Sequence, residues 1–195
     1  MNLPKIIGIA GTSGAGKDTL GDLLVERKHY KFVSVSDILR AELTKQGVPH
    51  EREYLRALSS KWHRDFGPGN LSRRTIEAYI LEEETEGYQG LAIGSIRRPS
   101  EAKVIQDEGG VVLWIDADQM LRYDRIQAAN RGRHEDTATF EEWLDDENAE
   151  MTPPSDDDGS ALNMAGVRDI ADVHVENDFD SFKAYRDYLI KEFEL

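Results

Sequence analysis

Residues 8–24 read "GIAGTSGAGKDTLGDLL". Gly11-Thr12-Ser13-Gly14-Ala15-Gly16-Lys17 fits the spacing G-x-x-x-x-G-K. The apolar run "KIIGIAG" (5–11) leads into it as a strand, and a helical pattern follows at once. That context makes the stretch a phosphate-binding loop. Its glycines let backbone N–H groups wrap an anion, the helix N-terminus adds positive dipole, and Lys17 reaches the outer phosphates. One position is unusual. Asp18 stands where switch-type and motor-type nucleotide hydrolases carry the Ser or Thr whose hydroxyl holds Mg²⁺. Thr19, one residue on, supplies a hydroxyl instead.

Working outward, short β-rich runs alternate with helical patterns, as in a parallel sheet built from βαβ units. Strands are expected at 5–11, 31–36, 90–96, 110–116 and 171–177. Helices are expected at about 16–28, 37–47, 51–65, 70–86, 99–108, 118–130, 138–150, 160–170 and 179–193. The fold class is therefore a P-loop NTPase α/β/α sandwich of three layers, with a five-stranded parallel sheet in a single domain spanning 1–195. The passage 37–86 is too long for a simple crossover and is expected to be a helical acceptor-binding insert. A short lid is expected at about 131–158. From Glu135 to Asp158 the chain has many acids and no Lys or Arg, so this segment should self-repel and be mobile. Phe140, Trp143 and Leu144 keep helical spacing within it, as packing residues do.

Composition narrows the function. Lys and Arg total 24 against 38 Asp and Glu, a net charge of −14. That balance argues against nucleic acid, whose binding rests on a basic face that releases counterions. The chain contains no Cys, which excludes disulfides and thiolate chemistry. No stretch approaches the roughly 20 apolar residues of a membrane helix, and no secretory pattern precedes the first strand, so a cytoplasmic protein is expected. Positive charge gathers at "SRR" (72–74), "IRRP" (96–99) and "NRGR" (130–133), consistent with small phosphorylated ligands or with solvated helix faces.

"SGAGKDT" (13–19) resembles the loop of P-loop kinases acting on small molecules: nucleoside and deoxynucleoside monophosphate kinases, dephospho-coenzyme A kinases and animal-type phosphomevalonate kinases. Several of these carry Asp after the loop lysine. The resemblance implies ATP and Mg²⁺ as cofactors, with the ion held largely through nucleotide and water and Asp18 or Asp37 as its acid. "VSVSDILRAEL" (33–43) is similar to the acceptor region of adenylate kinases, which implies that Ser36, Asp37 and Arg40 face the acceptor. "LAIGSIRRPSEA" (91–102) is similar to their third-strand motif, which implies Arg97 as a contact to the acceptor phosphate and Arg98 as a second. The family's Asp before that Arg is absent here, where Ile93, Gly94 and Ser95 stand. "LWIDADQMLRYDRIQAANRGR" (113–133) is similar to the lid entry, which implies Arg125, Arg131 and Arg133 around the ATP phosphates. "ADVHVENDFDSFKAY" (171–185) resembles the closing segment of dephospho-coenzyme A kinases, which implies Asn177 near the adenine.

The expectation is an ATP-dependent kinase with a small phosphorylated acceptor, most often a nucleoside or deoxynucleoside monophosphate in the families it resembles. The sequence leaves the oligomeric state open between monomer and homodimer. A dephospho-coenzyme A kinase-like enzyme, a nucleotide-dependent regulatory switch, and a binding module without turnover are the alternatives.

Overall fold

The computed structural model describes residues 1, 3–129 and 136–195. Five strands form one parallel sheet: β1 (Ile6–Gly11), β2 (Tyr30–Ser34), β3 (Gly90–Ile96), β4 (Val111–Asp116) and β5 (Val173–Glu176), in the order β2-β3-β1-β4-β5. The helices are α1 (Lys17–Lys28), α2 (Val35–Gln46), α3 (Arg52–Phe66), α4 (Asn70–Glu86), α5 (Pro99–Asp107), α6 (Gln119–Ala129), α7 (Phe140–Met151), α8 (Met164–Ile170) and α9 (Phe182–Glu192). The expected three-layer fold is the observed one.

The two-residue period of a strand distributes the core. Ile7 and Ile9 of β1, Leu113 and Ile115 of β4 and Val175 of β5 point to one face, where they pack with Leu20, Leu23 and Leu24 of α1 and Tyr185 and Leu189 of α9. Ala10, Leu91, Ile93, Val112 and Trp114 point to the other, against α2, α3, α4, α5 and α8. With both faces covered, the strands read as nearly continuous apolar runs. The central strand β1 therefore delivers its loop to the C-terminal edge of the sheet, where open α/β sheets bind ligands.

Element boundaries differ from expectation where tertiary bonds override local pattern. β2 ends at Ser34, its last partner being Gly94, and α2 starts at Val35, so Ser36 lies inside the helix. The helix expected from 160 begins at Met164, because the carbonyls of Ser160 and Ala161 are bonded by Arg98 and cannot enter a helical ladder. Asn163 caps it, its Oδ1 accepting from the Gly166 amide at 2.8 Å.

The acid-rich stretch carries the helix expected at about 138–150. Its residues from 140 to 151 form an ordered helix, α7, entered through a capping box in which Thr139 and Glu142 satisfy each other's backbone amides. Trp143 is buried against Tyr123, Phe140, Leu144 and Ile126. The neutralising charges come from elsewhere in the fold, which local sequence could not reveal.

Candidate active site

The loop between β1 and α1 has the geometry of an anion cradle. Gly11 adopts φ 134°, and a Cβ there would lie 1.9 Å from the Ile115 carbonyl oxygen, so no other residue fits without moving β4. Gly16 sits in the left-handed region at φ 91° and turns the chain into α1. Lys17 folds back to donate from Nζ to the Thr12 carbonyl oxygen. Burial, followed by repulsion from Arg97, pushes its ammonium down to about 8, while Asp18 and Glu147 pull in the other direction.

Three elements hold this loop. Thr12 donates from Oγ1 to Asp116 Oδ1 at 2.6 Å, tying the loop to the end of β4. Asn177, just past β5, donates from Nδ2 to the Ala15 carbonyl at 2.8 Å. Arg122 of α6, only 3% exposed, donates to the carbonyls of Ala117 and Ser13 at 2.9 and 3.3 Å, and it pairs with Glu147 of α7. The Arg122 guanidinium lies 5.1 Å from the Trp143 ring centroid, a cation–π contact that fixes α7 over the loop.

Gly11, Thr12, Ser13 and Lys17 line one cleft together with Ser95, Ile96 and Arg97 from the end of β3, Arg52 of α3, Glu147 and Glu150 of α7, and Met164. Ser95 holds a left-handed φ of 64° where the β1–β3 register shifts between Ile9 and Ala10. Such strain in a non-glycine residue tends to gather at functional sites. The shift turns Arg97 toward the loop, and its guanidinium pairs with Glu150.

Several expected site residues are used differently. Arg98 was expected on the acceptor. It is instead 3% exposed and bonded to the hydroxyls of Ser59 and Ser60 and to the carbonyls of Ser160 and Ala161, so it clamps the 152–163 connection to α3. Successive residues of a strand end point to opposite sides, and only Arg97 can face the cleft. Arg98→Met should therefore lower unfolding stability by about 2–4 kcal/mol, because two carbonyls and two hydroxyl oxygens lose their donor. A urea titration checks this, and an unchanged midpoint would remove the clamp.

Asn177 and Arg125 brace the loop from behind: Arg125 donates to the Asn177 carbonyl at 2.9 Å, and neither residue lines the cleft. Arg40 pairs with Asp37 on its own helix at 2.6 Å, one turn apart, and with Ser36 both lie outside the cleft lining. Asp18 is exposed on the first turn of α1 and Thr19 follows it, its amide bonded to the Gly16 carbonyl. Arg131 and Arg133 lie outside the described residues.

Other residues in and beside the cleft went unread as site residues, although some of them left signals. Asp116 ends the apolar run "VVLWID" at the sheet edge beside the loop. Trp143, Glu147 and Glu150 share one helical stripe, and carboxylates on a buried stripe require cationic partners. Arg52 and Arg122 gave no signal beyond their charge.

The profile of the AAA domain family matches residues 10–141. A UPF0200 protein of Pyrococcus abyssi is 28% identical over 185 residues, covering 93% of this chain and 91% of the relative. A shikimate kinase of Prochlorococcus marinus is 26% identical over 123 residues, covering 62% of this chain and 54% of that enzyme. Among solved structures, shikimate kinase from Bacteroides thetaiotaomicron superposes with a TM-score of 0.60 at 14% identity, covering 97% of this chain and 98% of the other. That likeness places the architecture among P-loop kinase folds.

Proposed function

The chain belongs to the AAA domain family, and from that premise we propose that it is an ATP-dependent phosphotransferase moving the γ-phosphoryl of ATP to a small phosphorylated acceptor. The observation that carries the reading is the shared cleft: the loop lysine, Lys17, and the strand-end arginine, Arg97, line it together. A nucleoside or deoxynucleoside monophosphate is the acceptor class favoured by the resemblance of residues 13–19 and 91–102 to the corresponding kinases.

Phosphoryl transfer asks a protein mainly for positioning and charge neutralisation. In this reading the loop amides of Ser13 to Lys17 hold the β- and γ-phosphates, with Lys17 on the transferred group. Arg97 faces the acceptor side. Asp116 and Asn177 keep the loop in shape from β4 and from behind β5, and α7 covers the cleft and excludes water. Mg²⁺ carried on the nucleotide would supply further neutralisation of the phosphate charge beside Lys17. Among the described residues no group of three acids or histidines gathers to hold an ion alone. That suits an ion carried in on the nucleotide and keeping its own waters, with Asp116 as the acid bonded to the loop.

Incubation with Mg-ATP and a panel of acceptors, following ADP, tests the proposal. The panel includes nucleoside and deoxynucleoside monophosphates, dephospho-coenzyme A and shikimate. Acceptor-stimulated ADP release supports a kinase. Slow release indifferent to every acceptor marks a switch, and binding without release marks a module without turnover.

Lys17 adds a second measurement. Without nucleotide its ammonium is held down to about 8, so at pH 9 much of it is neutral. A bound triphosphate favours the charged form and raises that value, so binding at pH 9 takes up protons and binding at pH 7 takes up few. Calorimetry in two buffers of different ionisation enthalpy should show uptake of up to about one proton per nucleotide at pH 9. Proton release, or uptake that does not change with pH, would contradict Lys17 as the phosphate ligand.

A further inference from the structure

Three arginines converge on one carboxylate. Glu150 of α7 is 7% exposed, one oxygen pairs with the Arg97 guanidinium, and the other lies 3.7 Å from Arg52 Nη1 and 3.6 Å from Arg56 Nε. That second oxygen is buried with no hydrogen-bond partner of its own. Asp146, one turn earlier on α7, takes the remaining Arg56 donor at 2.9 Å. A single carboxylate thus faces three guanidiniums, with Arg97 within hydrogen-bond reach and Arg52 and Arg56 in looser ion-pair contact. Structural ion pairs tend toward one guanidinium with two bonds to one carboxylate. Three guanidiniums around one small oxyanion instead match a ligand with more charge or more acceptor oxygens than Glu150 has.

The location strengthens the point. Arg52 and Arg97 line the same cleft as the loop residues Gly11, Thr12, Ser13 and Lys17. Arg52 and Arg56 come from the helical insert, Arg97 from the end of β3, and Glu150 from the helix above. Cleft walls and occupant therefore belong to different elements, and the occupant can leave without dismantling the walls. Glu147, one turn earlier on the same stripe, meets Arg122 over the loop, so α7 presents both carboxylates to the cleft.

We propose that Arg52, Arg56 and Arg97 form an oxyanion subsite that the chain fills with its own Glu150, and that a ligand bearing a phosphate monoester or a carboxylate binds there by displacing that side chain. The subsite rests on the kinase reading only for its role, as the place of the acceptor's anionic group. Glu150 is then an intramolecular competitor: it occupies the point where the three guanidiniums converge, and it sets a threshold that a weakly charged ligand does not cross.

Calorimetric titration of the full chain with inorganic phosphate and, separately, with malonate tests the subsite without nucleotide. Glu150→Gln removes the competing charge and should tighten at least one of the two anions by about tenfold or more. Arg56→Met in the Glu150→Gln background should abolish that gain. Phosphate alone gaining identifies a phosphate monoester as the ligand, malonate alone a carboxylate, and both a site that reads charge without shape. Equal affinities in the parent and Glu150→Gln, or a gain that survives Arg56→Met, overturn the proposal. The unaltered protein supplies a second readout. Phosphate should alter amide hydrogen exchange in residues 147–151 as the Glu150 side chain leaves the arginines, and unchanged exchange at saturating phosphate is equally fatal. Mg-ATP affinity is measured alongside. A chain that binds no ATP yet gains anion affinity in Glu150→Gln keeps the subsite and loses the kinase reading, and a chain that binds ATP with no such gain does the reverse.

Discussion

Lys17→Met is expected to reduce acceptor-stimulated ADP release by about a thousandfold or more, the scale seen when a positioned charge-stabilising donor is lost from a transition state. The argument is local. Without nucleotide the Lys17 ammonium is bonded to the Thr12 carbonyl and held down to about 8 by burial and by Arg97. A cation kept in surroundings that disfavour its charge is stabilised by whatever anion arrives, and the anion in this cleft is a phosphate. The same reasoning predicts that the substitution leaves folding stability nearly unchanged or slightly improved near neutral pH. The sign follows from linkage: a lysine whose folded value lies below its unfolded value opposes folding when pH is low enough to charge it in both states. Its opposition fades as pH rises through the interval from about 8 to the ordinary lysine value. Activity assays and a urea titration on the same preparation separate the two effects. Parental turnover in Lys17→Met would remove the loop from the chemistry.

Arg97→Met is expected to lower kcat/KM for the acceptor by about 30- to 1,000-fold, the loss of on the order of 2–4 kcal/mol of charge-assisted contact. ATP affinity should change little, because the loop and Lys17 hold the nucleotide. A secondary effect identifies the residue's position. Arg97 is the second largest influence holding the Lys17 ammonium down, so its removal should move nucleotide-linked proton uptake to higher pH. Arg40→Met is the control. Its guanidinium is engaged with Asp37 on the surface of α2, so parental acceptor kinetics are expected. If Arg40→Met is crippled while Arg97→Met is not, the acceptor lies beside α2 and the cleft assignment fails.

The arginines show how far the sequence could be read. Arg97 is picked out by the resemblance of 91–102 to the kinases' third-strand motif, and the structure lines the cleft with it. Arg98 carries the same charge one residue later, and only the alternation of side chains at the end of β3 sends it into Ser59, Ser60 and the Ser160 and Ala161 carbonyls. Asn177 was expected near the adenine, and the structure bonds it to the Ala15 carbonyl of the loop. Its closeness to the nucleotide loop depends on β5 lying beside β4, which brings residue 177 within hydrogen-bond reach of Ala15 across 162 residues of chain.

Sequence alone determined the fold class, the loop Gly11–Lys17 and the five strands, because each rests on patterns a few residues long: apolar runs covered on both faces, glycines at left-handed turns, and a lysine at the start of a helix. Only the tertiary structure decided what the acid-rich segment does. By itself that segment reads as a self-repelling lid carrying a helix at about 138–150, since it contains no basic residue between 135 and 158. Folded, it is the helix whose Glu147 and Glu150 meet Arg122, Arg97, Arg52 and Arg56. Coulomb energy depends on distance in space, and those distances are set by the packing of α3, α6 and β3 around the cleft, which no window of the sequence contains.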